Sequence, residues 1–242
     1  MKRVLLFGLL FALAHVLLLT LPVVSQQTFV TRFDAYGGYA FLDTPHLGLF
    51  ENGFATQVGY RPRTWVSFGF DYSITTGDSN LTPNLLTSAL QQQLGAQLAG
   101  LAAMGLLPPG YTVSIPASSR TQTFAVGPQL AYRHFQHLTL FLRPVFAGAI
   151  HQTTTPHPAP GDAIAAGIVS QLTPSGKKTD TAPFVGFGGG FDMIFSRHFS
   201  LRTQADLVYD HLFNDLLPNG QFTVRFSVGP AFNFGRNIAQ AK

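Results

Sequence analysis

The chain has no cysteine. This excludes a disulfide framework, thiol chemistry and a lipid-modified cysteine behind the N-terminal apolar run. Charge is scarce: 11% of the 242 residues, where a soluble domain carries about a quarter. There are four lysines and a single glutamate, Glu51, so two common helix formers are nearly missing. No basic cluster exists beyond Lys177-Lys178, read as a solvated loop tip, so nucleic acid is not an expected partner. What is abundant is phenylalanine (23) and glycine (24), a composition suited to strands whose outer faces need no water.

Lys2-Arg3, the apolar run Val4–Leu21 and Pro22-Val23-Val24-Ser25 have the order of a secretory signal peptide. The run is 18 residues, the lower limit for a spanning helix. Helix-ending Pro22 and small Ser25 favour cleavage after Ser25 over an uncleaved anchor. Cleavage takes the net charge from +4 to +2. The expected division is 1–25 signal peptide, 26–235 barrel and 236–242 a C-terminal periplasmic tail.

Period-two alternation predicts eight strands: Thr31–Phe41, Gly53–Arg61, Trp65–Ile74, Thr121–Arg133, Leu138–Ile150, Pro183–Phe195, Phe199–Tyr209 and Gln221–Phe234. In the last, Phe222, Val224, Phe226 and Val228 alternate with Thr223, Arg225, Ser227 and Gly229. The connections alternate long and short. Pro62–Thr64, His134–His137 and Ser196–His198 are tight; Asp43–Asn52, Thr75–Arg120, His151–Ala182 and Asp210–Gly220 are longer. Short periplasmic turns and longer extracellular loops are the pattern of an up-and-down transmembrane β-barrel. The fold expected is therefore all-β: an eight-stranded antiparallel barrel in a bacterial outer membrane, with both termini periplasmic and lipid outside.

The faces opposite the oily ones present Arg32, Arg143, Arg202 and Arg225 with Asp34, Asp71, Asp192 and Asp206. Buried charges must be paired, so these predict a salt-bridged plug in a lumen just wide enough for side chains. Arg202 is expected to meet Asp192 or Asp206. Tyr60, Trp65, Tyr132, Phe195, Phe199 and Phe234 gather near the short turns. Phe41, Phe54, Tyr72, Tyr209 and Phe222 lie near the long loops, giving two aromatic belts.

Phe187-Gly-Gly-Gly-Phe-Asp192, the Ser196-Arg-His198 turn, Leu201-Arg202 with Asp206 and Tyr209, Arg143-Pro144, and the ending Arg225…Gly229…Phe232-x-Phe234-Gly235 resemble the outer-membrane β-barrel domain family. The architecture is similar to the OmpA-like membrane domain, and the small acidobacterial members are nearest in character. Ser227, Gly229, Phe232 and Phe234 resemble the C-terminal assembly signal of that class, which implies the barrel assembly machinery as a biogenesis partner. The tail after Phe234 departs from the strict pattern. The family implies no agreed substrate, cofactor or active site.

In the second long loop, Leu86, Leu90, Leu94, Leu98 and Leu101 recur at helical spacing before Pro108-Pro109. So apolar a helix must pack on the barrel mouth or rim, and it is a lid candidate over an unidentified ligand. Of the eight histidines, the seven beyond the N-terminal apolar run read as solvated turn or loop residues; a metal site needs at least three converging ligands. His211 with Asp210 and Asp215 is the best arrangement for catalysis, but no partner serine is identifiable. The expected role is non-enzymatic: a closed barrel with working surface loops. The alternative is a narrow channel or carrier for small or lipidic ligands, gated by residues 75–120.

Overall fold

The computed structural model describes residues 27–218 and 220–239, so the expected signal peptide lies outside the described residues. The strands are β1 (Thr31–Thr44), β2 (Leu49–Arg63), β3 (Val66–Leu81), β4 (Ile115–Tyr132), β5 (Leu138–Pro156), β6 (Lys178–Ile194), β7 (Phe199–Asp210) and β8 (Gln221–Asn237). They form one closed barrel in sequence order. All neighbours are antiparallel, and β8 returns to β1 through Phe33↔Phe234 and Phe41↔Phe226.

Strand number and order agree with the alternation; strand ends do not. Pairing continues past the last large apolar residues, through Asn80↔Pro116 and Thr153↔Thr179. Thr-rich segments keep strand propensity without an oily face. The first long-side connection therefore shrinks to Pro45–Gly48, a 3-10 turn closed by Gly48 at φ 59°. At the other end β8 runs to Asn237, which pairs with Thr31, so the expected tail begins inside the sheet.

Inward and outward residues alternate as the pleat requires. Phe54, Phe70, Val126, Val185 and Phe222 point outward and are at least half exposed on the isolated chain. Asp71, Arg143, Arg202 and Arg225 point inward and are buried. The alternation breaks once in β5, where Pro144 and Val145 are both exposed and Arg143 and Phe146 both buried. The register shifts there against β4 and against β6. A bulge is where a strand tolerates proline, which has no N–H for the ladder. At Gly148, two residues beyond Phe146, the sheet bends so closely that a Cβ would overlap the Phe124 carbonyl oxygen.

Two helices cap one end: α1 (Ser88–Ala103) and α2 (Ala163–Leu172). The expected Leu-rich helix is α1. The second lies in a stretch read only as loop, and starts at Asp162, whose Oδ1 accepts from Ala165 N at 2.9 Å.

Candidate functional site: an ion-paired lumen beneath a capped mouth

Two tetrads of charge fill the lumen. In one, Arg61 Nη2 lies 3.1 Å from Asp34 Oδ1, and Arg202 lies 2.9 Å from Asp34 Oδ2 and 2.7 Å from Asp192 Oδ1. In the other, Asp206 Oδ2 receives Arg143 at 3.1 Å and Arg225 at 2.6 Å, while Asp71 is paired with both arginines. Every one of these side chains is 6% exposed or less. Arg202 also donates to Gln57, and Gln204 Nε2 donates to Asp206 Oδ2 at 2.7 Å. The β5 bulge has a consequence here: it places the Arg143 guanidinium 4.1 Å above the Phe146 ring.

Seven of the eight expected network residues take part. Arg32 does not. It makes no ion pair among the described residues, and its buried Nε has no partner. The register shift between Thr31 and Phe33 takes it out of the regular alternation. Arg61 supplies the fourth cation instead. It was legible: Arg61 continues the inward parity of Gln57 and Gly59. Arg202 pairs with Asp192 as expected, and its second partner is Asp34 rather than Asp206. Below the tetrads, Arg133 donates to Thr64 O at 2.8 Å and to Gln27 Oε1 at 3.1 Å. Gln27 Nε2 in turn donates to Thr139 Oγ1 at 2.9 Å, so polar side chains close this end too.

The opposite end is apolar. Phe146, Ile150, Phe184, Val208, Leu212, Phe213 and Leu217 pack inside the upper barrel. Over them Leu94 of α1 meets Val113, Ile115 and, from α2, Ala165 and Ile168, with Leu86 and Leu98 packed alongside. Leu90 and Leu101 are half-buried on the same helix and lie outside that cluster. The Tyr111 hydroxyl donates to Asp162 at 2.9 Å, and Gln97 Nε2 donates to Gln171 Oε1 at 3.2 Å. Thr87 N donates to Leu216 O at 2.8 Å, tying the cap to the last loop. Beneath the cap lies a cavity of about 100 Å³, lined by Leu49, Leu81, Leu94, Val113, Ile115 and Ile168 among others.

The residues considered for catalysis are engaged separately. Asp210 Oδ1 accepts from Leu212 N at 3.1 Å, Asp215 pairs with Lys178, and exposed His211 meets the Tyr209 ring edge-on at 5.0 Å. Among the described residues no group of three or more His, Asp or Glu is placed to hold a metal ion. In the C-terminal motif, Ser227 is buried, Phe232 and Phe234 face outward, and a Cβ at Gly229 would overlap Gly38.

No family model and no curated protein matches the sequence. Solved structures to which the chain is similar include Ail, the attachment invasion locus protein of Yersinia pestis, at 11% identity over 85% of this chain and 99% of that one, TM-score 0.47. Neisserial surface protein A matches at 12% identity over 84% and 96%, TM-score 0.44. The outer membrane protein OprG of Pseudomonas aeruginosa matches at 9% over 88% and 100%, TM-score 0.49. At such identities the likeness concerns the fold and says nothing of activity.

Proposed function

We propose that this chain is a non-enzymatic barrel protein of a bacterial outer membrane, anchored by a closed barrel and working through its capped end. The observation that carries this is the partition of side chains: an aromatic and aliphatic exterior around a lumen of compensated charge. Water would make that exterior costly, whereas lipid matches it. Conduction needs a continuous wet path, and two buried tetrads stand across it. On this reading Ser227, Gly229, Phe232 and Phe234 are recognised by the assembly machinery, lipid is the permanent partner, and the short turns face the periplasm.

The experiment is single-channel recording in a planar bilayer, with folding read from heat-dependent gel mobility. Folded protein is expected to be silent; steady conductance steps overturn the closed barrel. One observation favours a second reading, a carrier rather than a channel. The apolar cavity beneath α1 and α2 is a place for a small ligand, with Leu86, Leu90, Leu94, Leu98 and Leu101 on its lid.

A further inference from the structure

Four interior aspartates are matched by four arginines. Glu51, the only glutamate of the chain, has no such match. It is fully buried, and it forms no ion pair among the described residues. One carboxyl oxygen accepts from Thr75 Oγ1 at 2.7 Å, and the hydroxyls of Ser119 and Thr121 are its other polar neighbours, none of them a cation. A buried carboxyl held by hydroxyls alone, with no cation beside it, requires an account. Asp210 is also buried without a cation, but its oxygen is used by the turn at Leu212.

The position of Glu51 supplies the account. Leu49, the preceding inward residue of β2, lines the mouth cavity, as do Ser119 and Gln152. Glu51 is in register with Gly77 of β3, and Gly77 with Ser119 of β4. Gly77 carries no side chain, so no side chain stands in that row between the carboxyl and Ser119. Gln152 Nε2 donates to Ser119 Oγ at 2.7 Å, which continues a polar floor under apolar walls. Apolar cavities of this order hold small hydrocarbons, and a few convergent polar groups set the orientation of a bound ligand.

We propose that the mouth cavity and the Glu51 carboxyl beneath it form one binding site, for a small amphiphile with a hydrocarbon body and a cationic, hydrogen-bond-donating head: a short alkylamine in chemical class. This rests on the carrier reading of the cavity. The hydrocarbon lies against Leu94, Val113, Ile115 and Ile168, and the ammonium reaches Glu51 past Ser119. A carboxylate head meets like charge and is rejected.

The test is equilibrium binding of hexylamine, hexanol and hexanoate to the purified full-length protein in lipid nanodiscs, with empty nanodiscs as blank. Hexylamine is expected to bind saturably, at least tenfold tighter than hexanoate. Glu51→Gln should bring hexylamine to within threefold of hexanol. Val113→Trp, which fills the cavity, should abolish saturable binding of both. Heat-dependent gel mobility confirms that each variant is folded, and the comparison of the three probes on the unaltered protein needs no variant. Saturable binding that ignores the head group, or a preference that survives Glu51→Gln, overturns the role of Glu51 and leaves the carrier reading standing. Failure of all three probes to bind overturns both.

Discussion

Asp206 of β7 and Arg225 of β8 face each other in register across their shared seam, and the guanidinium meets the carboxylate through Nη2 at 2.6 Å and Nε at 3.1 Å. Pairing along the ladder and pairing of charge thus coincide at one position. The same holds at Asp192↔Arg202, joined at 2.7 Å and 3.0 Å. A one-residue slip of one strand would turn its member of the pair to the outside and leave the other unpaired in the lumen.

Arg202 binds two carboxylates, so its loss strands both. Arg202→Leu leaves Asp192 without a cation and Asp34 with Arg61 alone. Breaking a buried pair from one side costs about 3–5 kcal/mol. The urea midpoint of the folded protein in lipid should fall accordingly; an unchanged midpoint would contradict the placement of this guanidinium in the lumen.

The exterior gives a prediction of depth. Phe70 lies in the outward row Val58, Phe70, Val126 and is half exposed on the isolated chain. Phe70→Arg should cost about 2–4 kcal/mol if this row is at the bilayer midplane. Thr153→Arg, high on β5 opposite Arg120 and Thr179, should cost under about 1 kcal/mol, as for positions near the interface. Equal costs in lipid would remove the support for a spanning barrel.

Gly148 is a steric prediction. Even Gly148→Ala places a Cβ onto the Phe124 carbonyl oxygen of the adjoining strand. The β4–β5 pairing must then part, and the folded, heat-resistant gel band should be lost or much reduced. Gly37→Ala, where a Cβ meets nothing, serves as the contrast and should fold.

Tyr111 makes the cap sensitive to alkali. Burial and the Asp162 carboxylate that accepts its hydroxyl hold this phenol above its ordinary value. A raised folded-state pKa means the contact stabilises fully below the unfolded value near 10, and is lost as pH rises through the folded one. A chain without cysteine permits clean spin labelling at Gln97→Cys and Gln171→Cys. Their distance distribution should be narrow at pH 7 and broaden above about pH 10. With Tyr111→Phe it should already be broad at pH 7 and stay so; a pH-independent narrow distribution in both would remove the latch.

The barrel was legible because each strand carries its own alternation, and a closed sheet needs only that and the parity of connection lengths. Seven of the network residues followed from the same parity. Arg61 and Glu51 were legible in principle. Arg61 is the last residue of the expected second strand, and Glu51 lies two residues before its start, where Leu49-Phe50-Glu51-Asn52 already pair as part of β2. The β5 bulge explains a different miss. Pro144 announces an irregularity, but nothing local says that it keeps Arg143 and Phe146 on one side. The contact of α1 with α2 joins segments about 75 residues apart, and each alone shows only that it is apolar.

The wiring of the tetrads bears on how the barrel is made. Asp71 on β3 finds its cations on β5 and β8, and Asp34 on β1 finds one on β2 and the other on β7. The β1–β2 hairpin holds one pair, Asp34 with Arg61, but Arg202 and Arg225 reach Asp34 and Asp71 only when β7 and β8 come round to β1. Closure of the first strand onto the last is therefore also the event that completes both tetrads. Partly zipped forms are disfavoured, and the finished ring resists opening at any single seam.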